Sequence, residues 1–176
     1  MPKLKYTMNV KRDYSSPNFS LRHETKIDTI LLHHTGGTSP GCLTWLCNPT
    51  AKVSAHHCIT KDGVIHELVD VYKCAWHAGR GAYDLDQNGE ISENEKSFNR
   101  RSIGVEIESL GQTYTDLQFI ATVDLCYFLC KHFDIPPANI LGHKEIAPER
   151  KWDPGHFDMN DFREAIKRLR STREKP

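Results

Sequence analysis

Hydrophobic positions along this chain fall into short clusters separated by turn residues, and the spacing within each cluster predicts its element. "IDTILLHH" (27–34) is a brief apolar, β-branched run of the kind that makes a buried strand. "SPGCLTWLC" (39–47) reads as a short helix. "VSAHHCIT" (53–60) and "VIHELVD" (64–70) flank Lys61-Asp62-Gly63, where the Asp-Gly pair predicts a hairpin turn between two strands. "SIGVEIES" (102–109) alternates strictly, with Ile103, Val105 and Ile107 on one face and Glu106 and Glu108 on the other.

From Thr115 the period lengthens to that of a helix. Thr115 can cap, Gln118 can complete a capping box, and Leu117, Ile120, Val123 and Tyr127 make an apolar stripe that should stop before Pro136. "ANILGH" (138–143) reads as a last short strand, and "DMNDFREAIKRLR" (158–170) as a closing helix with Asp158 as N-cap. The first 24 residues read as an irregular arm. No repeat or low-complexity linker divides the remainder, so residues 25–176 form one domain. Strands interleaved with helices predict an α/β (α+β) fold on a central mixed β-sheet flanked by helices.

Composition narrows the function classes. The 176 residues are 38% hydrophobic and 26% charged with a formal net charge of zero, which gives no overall attraction to nucleic acid or membrane. The N-terminal "MPKLKYTMNVKRDYSSPNF" has no apolar run of signal-peptide length, and no later stretch approaches a membrane span. A cytoplasmic location is therefore expected. The six cysteines, with no CxxC pair, are expected to stay reduced as small apolar residues. Between Arg163 and Lys175 six bases face two acids. That is a solvated helix face, or alternatively a weak attraction to an anionic polymer such as a bacterial envelope.

Ten histidines are many for this length. His33 closes the first buried strand and His143 the last, and Asp153 follows in a loop near enough to fold back onto the same point. Two histidines and a carboxylate form a catalytic-type zinc set, which leaves a coordination position open. Each His taken singly is more often an ordinary structural residue.

"ILLHHTGG", "VSAHHCITKDG", "CAWHAG", "NRRSIGVEIES" and "LGHKEIAPERKWDPG" occur in the order found in zinc-dependent N-acetylmuramoyl-L-alanine amidases of the second family, and the chain resembles that family over residues 27–169. Within it the likeness is greater to the cytoplasmic amidases that recycle anhydro-muropeptides than to phage endolysins or animal peptidoglycan-recognition proteins. The resemblance implies the peptidoglycan-recognition-type amidase fold and zinc on His33, His143 and Asp153, with His34 on the opposite face of its strand. It also implies Glu106 as the proton-transferring carboxylate and Lys151 as the oxyanion donor. Phage-type relatives commonly have Cys where Asp153 stands and Tyr where Ala55 stands. Asp153 follows the recycling branch, and the absence of a Tyr at position 55 places more of the work on Glu106. His56, Trp76, His77 and Asn99 match positions near the zinc or the muropeptide, although His56 equally suits a hydrogen-bonded structural role.

"DLDQNGEISENE" (84–95) departs from the family and fits the calcium-loop pattern D-x-[DN]-x-[DN]-G-x5-E. Asp84, Asp86, Asn88, Glu90 and Glu95 would be its ligands, around a turn at Gly89. The alternative is a solvated acidic loop, because neither flank reads as a partner helix. The expected reaction is zinc-dependent hydrolysis of the amide between the lactyl group of N-acetylmuramic acid and L-alanine, by a monomer acting on peptidoglycan or muropeptides. The alternative is a non-catalytic peptidoglycan-recognition module. Within the enzyme reading, both wall recycling and holin-released endolysin roles stay open.

Overall fold

The computed structural model describes residue 5 and residues 7–79 and 98–173. The strand elements in chain order are β1 (Val10–Lys11), β2 (Phe19–Leu21), β3 (Thr29–His34), β4 (His57–Ile59), β5 (Ile65–Glu67), β6 (Lys73–Ala75), β7 (Ser102–Ile107) and β8 (Ile140–Gly142). The helices are α1 (Gly41–Leu46), α2 (Phe98–Arg101), α3 (Asp116–Phe133), α4 (His143–Ile146) and α5 (Met159–Arg173), with a 3₁₀ turn at Pro137–Asn139.

Six strands form a mixed sheet in the order β1-β5-β4-β7-β3-β8, and β2 pairs antiparallel with β6 in a separate ribbon. The apolar runs at 27–34 and 102–109 become its central strands. β3 runs parallel to both β7 and β8, which brings the C-terminal ends of all three to one edge. In open sheets with parallel strands that edge is where ligands bind. The Asp-Gly hairpin forms as expected, with β4 antiparallel to β5.

Alternation sorts the two faces. Ile30 and Leu32 of β3 and Ile103, Val105 and Ile107 of β7 pack into the main core with α3 and α5. Leu31 joins Phe98, Leu141 and Ile146 on the other face, which is covered by short helices and loops. His33, Gly104 and Glu106 follow Leu31 in phase, so the thinly covered face receives the polar side chains. Shifting β3 by one residue would move His33 into the apolar core, so its burial pattern also fixes the site.

Three expectations are corrected. The arm contributes β1 and β2 and buries Ser16, Asn18 and Arg22, so residues 10–22 are anchored to the domain. On α3, Leu117 and Ile120 are 57% and 56% exposed, and the buried stripe is Gln118, Thr122, Leu125, Cys126, Leu129 and Cys130 with Val123 and Tyr127 beside it. The reason is the capping box itself. Thr115 Oγ1 accepts from Gln118 N (3.1 Å) and Gln118 Oε1 accepts from Thr115 N (3.0 Å). The Gln118 amide then donates to Glu108 O (2.7 Å), which turns Gln118 inward and Leu117 outward. Finally, β8 ends at Gly142, and His143 opens α4 rather than closing a strand. Asp158 does cap α5, its Oδ1 accepting from Asn160 N (2.9 Å) and Asp161 N (3.0 Å).

Candidate metal centre

Register places the first two members of the site. His33 on β3 pairs with Glu106 on β7, and Glu106 in turn pairs with Cys58 on β4. Partners in parallel strands point to the same face about 4.8 Å apart, so Glu106 stands beside His33 by construction. On the other side Leu32 pairs with Gly142, so His143, one residue on, lies next to His33. Glu145 fixes the start of α4. Its Oε2 accepts from Gly142 N (2.6 Å), and both of its oxygens accept from Arg163 (2.7 and 2.6 Å).

The loop after α4 returns Asp153 to the same point. Asp153 O accepts from Lys144 N (2.8 Å), and Lys144 Nζ reaches Gly155 O (2.9 Å). Gly155 has φ +64° and lies so close to the Gly111 backbone that a Cβ would collide with it, so only glycine fits there.

Three ligand atoms then converge. His33 Nδ1 and His143 Nδ1 are 2.9 Å apart, and Asp153 Oδ2 lies 3.0 and 2.9 Å from them. A tetrahedral zinc ion with bonds of about 2.0–2.1 Å separates its ligands by roughly 3.3 Å, so the triangle is within a few tenths of an ångström of a ligand face. His33, His143 and Asp153 are the group of metal-type side chains that meets this way among the described residues, and all three are buried.

The remaining ring nitrogens set the tautomers. His143 Nε2 lies 3.1 Å from Ala78 O, an acceptor only, so Nε2 carries the proton and Nδ1 presents its lone pair to the triangle. His33 Nε2 lies 3.0 Å from His77 Nδ1, His77 Nε2 lies 3.2 Å from Ser102 Oγ, and Ser102 Oγ donates to Phe98 O. Reading donors outward from His33 satisfies each link and leaves His33 Nδ1 free to bind a cation. The His77 ring occupies space where any side chain at position 104 would stand, so Gly104 makes room for this relay.

Burial pushes His33 down to about 4, against the Asp153 carboxylate, which would accept a hydrogen bond from the protonated ring, so it is the neutral, ligating form at neutral pH. Burial alone would raise Asp153, but its close contacts with the His143 and His33 rings outweigh that and hold the carboxyl well below the usual range. Burial raises Glu106 to about 8, helped by the Asp153 charge and opposed by Lys151. Glu106 Oε2 is sealed from solvent with no hydrogen-bond partner among the described residues. Lys151 lines the same cleft.

The cleft has a volume of about 360 Å³ and holds the triangle, Glu106 and Lys151, with Trp76 and His77 on its wall. Asn99 acts one step behind. Its Oδ1 accepts from His77 N (3.1 Å) and Ala78 N (2.7 Å) and so shapes the loop that carries both. His56 is fully buried, with Nδ1 accepting from Gly104 N (2.8 Å) and Nε2 lying 3.1 Å from Lys73 O and 2.7 Å from Arg22 Nη2. The substrate contact expected of it is replaced by the structural alternative. His34 also reaches the cleft, because β3 ends there and Trp152 packs against its ring. The calcium pattern at 84–95 lies outside the described residues.

Two contributors had no sequence signal. Arg22, from the arm, donates to Val71 O (2.8 Å), Arg100 O (2.5 Å) and Ser102 O (2.7 Å), tying α2 and β7 beneath the relay. Arg150 Nη2 donates to Ala78 O (3.0 Å), the carbonyl that orients His143.

The family model described as N-acetylmuramoyl-L-alanine amidase (Amidase_2) matches residues 23–156. The 1,6-anhydro-N-acetylmuramyl-L-alanine amidase AmpD of Citrobacter freundii is 31% identical, over 88% of this chain and 89% of its own. That of Enterobacter cloacae is 32% identical, over 86% and 87%. A solved selenomethionine derivative of AmpD superposes with a TM-score of 0.74 at 29% identity, covering 94% of this chain and 99% of that one. The PlyG catalytic domain superposes with a TM-score of 0.64 at 23% identity, over 92% and 94%, a likeness of fold alone.

Proposed function

The chain belongs to the N-acetylmuramoyl-L-alanine amidase family, and from that premise we propose that it hydrolyses the lactyl–L-alanine amide of anhydro-muropeptides, as a zinc-dependent monomer. The convergence of His33 Nδ1, His143 Nδ1 and Asp153 Oδ2 within 3.0 Å of one another carries this reading. All of these cleft residues come from one chain. Zinc held by these three would supply Lewis acidity toward the amide carbonyl and the attacking water.

The protein's own groups do the rest. Glu106 takes a proton from the attacking water as its oxygen bonds to the lactyl carbonyl carbon. It returns that proton to the alanine nitrogen as the C–N bond breaks, leaving a lactyl carboxylic acid, whose proton then passes to the freed amine or to solvent. A carboxyl raised toward neutrality suits a group that must both accept and release. The Lys151 ammonium faces the oxygen that gains charge, where such a donor contributes about 3–4 kcal/mol to the transition state. The substrate preference rests on the names of the AmpD relatives.

The test is hydrolysis of two substrates, purified sacculi and a soluble anhydro-muropeptide, each with and without a zinc chelator, reading newly freed alanine amino groups. Chelator-sensitive release with preference for the soluble substrate is expected. No release by zinc-loaded protein would overturn the catalytic reading, and preference for sacculi would overturn the substrate assignment.

A further inference from the structure

The chain has three tryptophans, and all three line the cleft that holds the triangle. Trp45 and Trp152 are each 56% exposed, so neither is core. Large exposed apolar side chains gathered at one polar site mark a binding surface rather than scattered surface residues. Trp152 is the better defined of the two. Its ring packs edge-on to His34 at 4.4 Å, and against Gly111, where any Cβ would collide with the indole. Gly111 is itself held, its N–H donating to Ser109 Oγ (2.9 Å) and its carbonyl accepting from His156 N (3.0 Å). The indole is therefore held on that side, while Trp152 lines the cleft and stays 56% exposed.

We propose that Trp152 is a specificity-determining residue that stacks on the apolar face of the muramyl sugar. This rests on the amidase reading above. The scissile amide joins two chemically different halves. The peptide half is extended and polar, whereas the sugar half is a ring with a flat C–H face that matches an indole. The sugar is attached through the lactyl group to the carbonyl carbon whose oxygen Lys151 addresses, and Trp152 is the next residue. On the other flank Asp153 would hold the metal, which keeps the platform next to the reacting centre. A pre-positioned aromatic ring loses little conformational freedom on binding.

The test uses the full-length, zinc-loaded protein and two substrates with the same amide, an anhydro-muramyl tripeptide and the N-lactoyl tripeptide lacking the sugar. The preference is the ratio of their kcat/KM values. Trp152→Ala is expected to lower that preference about five- to tenfold, through KM for the sugar-bearing substrate with its kcat within about twofold, as the loss of one aromatic stack implies. Trp152→Phe should restore most of it. An unchanged preference in Trp152→Ala, or a collapse in Trp45→Ala instead, would overturn the assignment. Indole fluorescence during titration with the sugar-bearing tripeptide reads binding even if neither substrate is cleaved, and equal affinities for wild type and Trp152→Ala would also overturn it. Failure of the amidase reading would be seen separately, as no hydrolysis of either substrate by the wild type.

Discussion

Glu106 and Glu108 stand two positions apart on one face of the β7 run and meet different surroundings. Glu108 accepts from Ser39 N (2.8 Å) and Lys61 N (3.0 Å), so its charge is matched by backbone donors and its role is to join loops. Glu106 has a sealed oxygen with no such donor and sits beside the ligand triangle. Replacing Glu106 by Gln keeps the shape and removes the proton acceptor. The expected result is at least a 100-fold fall in kcat with zinc content unchanged, measured on the soluble substrate beside a metal assay. Activity within tenfold of wild type would rule out Glu106 as the proton carrier. At this scale the sequence was informative where chemistry follows register. His33 and Glu106 share a face because both lie in strictly patterned strands. Arg22 and Gly104 were illegible, because a cage of carbonyls and the space left for a ring come from segments far apart in the chain.

The elements place the side chains, and their ends matter more than their middles. His143 owes its position to the first turn of α4, where Glu145 accepts from Gly142 N and is itself held by Arg163 of α5. The reading of 138–143 as a strand found the right segment and missed the switch, since a strand that turns into a helix at Gly142 has no periodicity of its own. The same limit applied to α3, where apolar count favoured Leu117 and Ile120 over the polar but buried Gln118 and Thr122. β6 and the loop after it bring His77 beside His33, so a residue on the cleft wall is also hydrogen-bonded to one of the three converging side chains. His77→Phe should weaken zinc affinity about 10- to 100-fold, because His33 then loses the acceptor that fixes its tautomer. Competition against a chromophoric chelator measures this, with His77→Gln expected to recover part of the loss. Affinity equal to wild type in the Phe variant would show that the relay does not tune the metal.

Across the whole molecule, burial of neutral histidines links folding to pH. Burial holds His33 at about 4 and His57 at about 3, with His56 and His77 also well below their ordinary value. In the unfolded chain each titrates near 6.5, so the unfolded state binds more protons below that pH. The stability these groups contribute is complete above about 6.5 and is lost as pH falls toward 4, at up to about 1.4 kcal/mol per group for each pH unit. Glu106 has the opposite sign. Its raised value of about 8 contributes stability that is complete below about 4.5 and is lost as pH rises to about 8, so one group opposes four. The urea midpoint of metal-stripped protein should therefore fall steadily between pH 7 and pH 4.5. A midpoint that stays level would mean that the buried histidines take up protons without penalty.

One zinc ion on His33, His143 and Asp153 would make this fold an amidase. The most direct measurement of this is a zinc titration of chelator-stripped protein, with bound metal and anhydro-muropeptide hydrolysis read from the same samples. Activity should rise in proportion to bound zinc and level off at one equivalent, and Asp153→Ala should lose both tight binding and activity. Full activity without bound metal, or wild-type zinc affinity in Asp153→Ala, would contradict the claim.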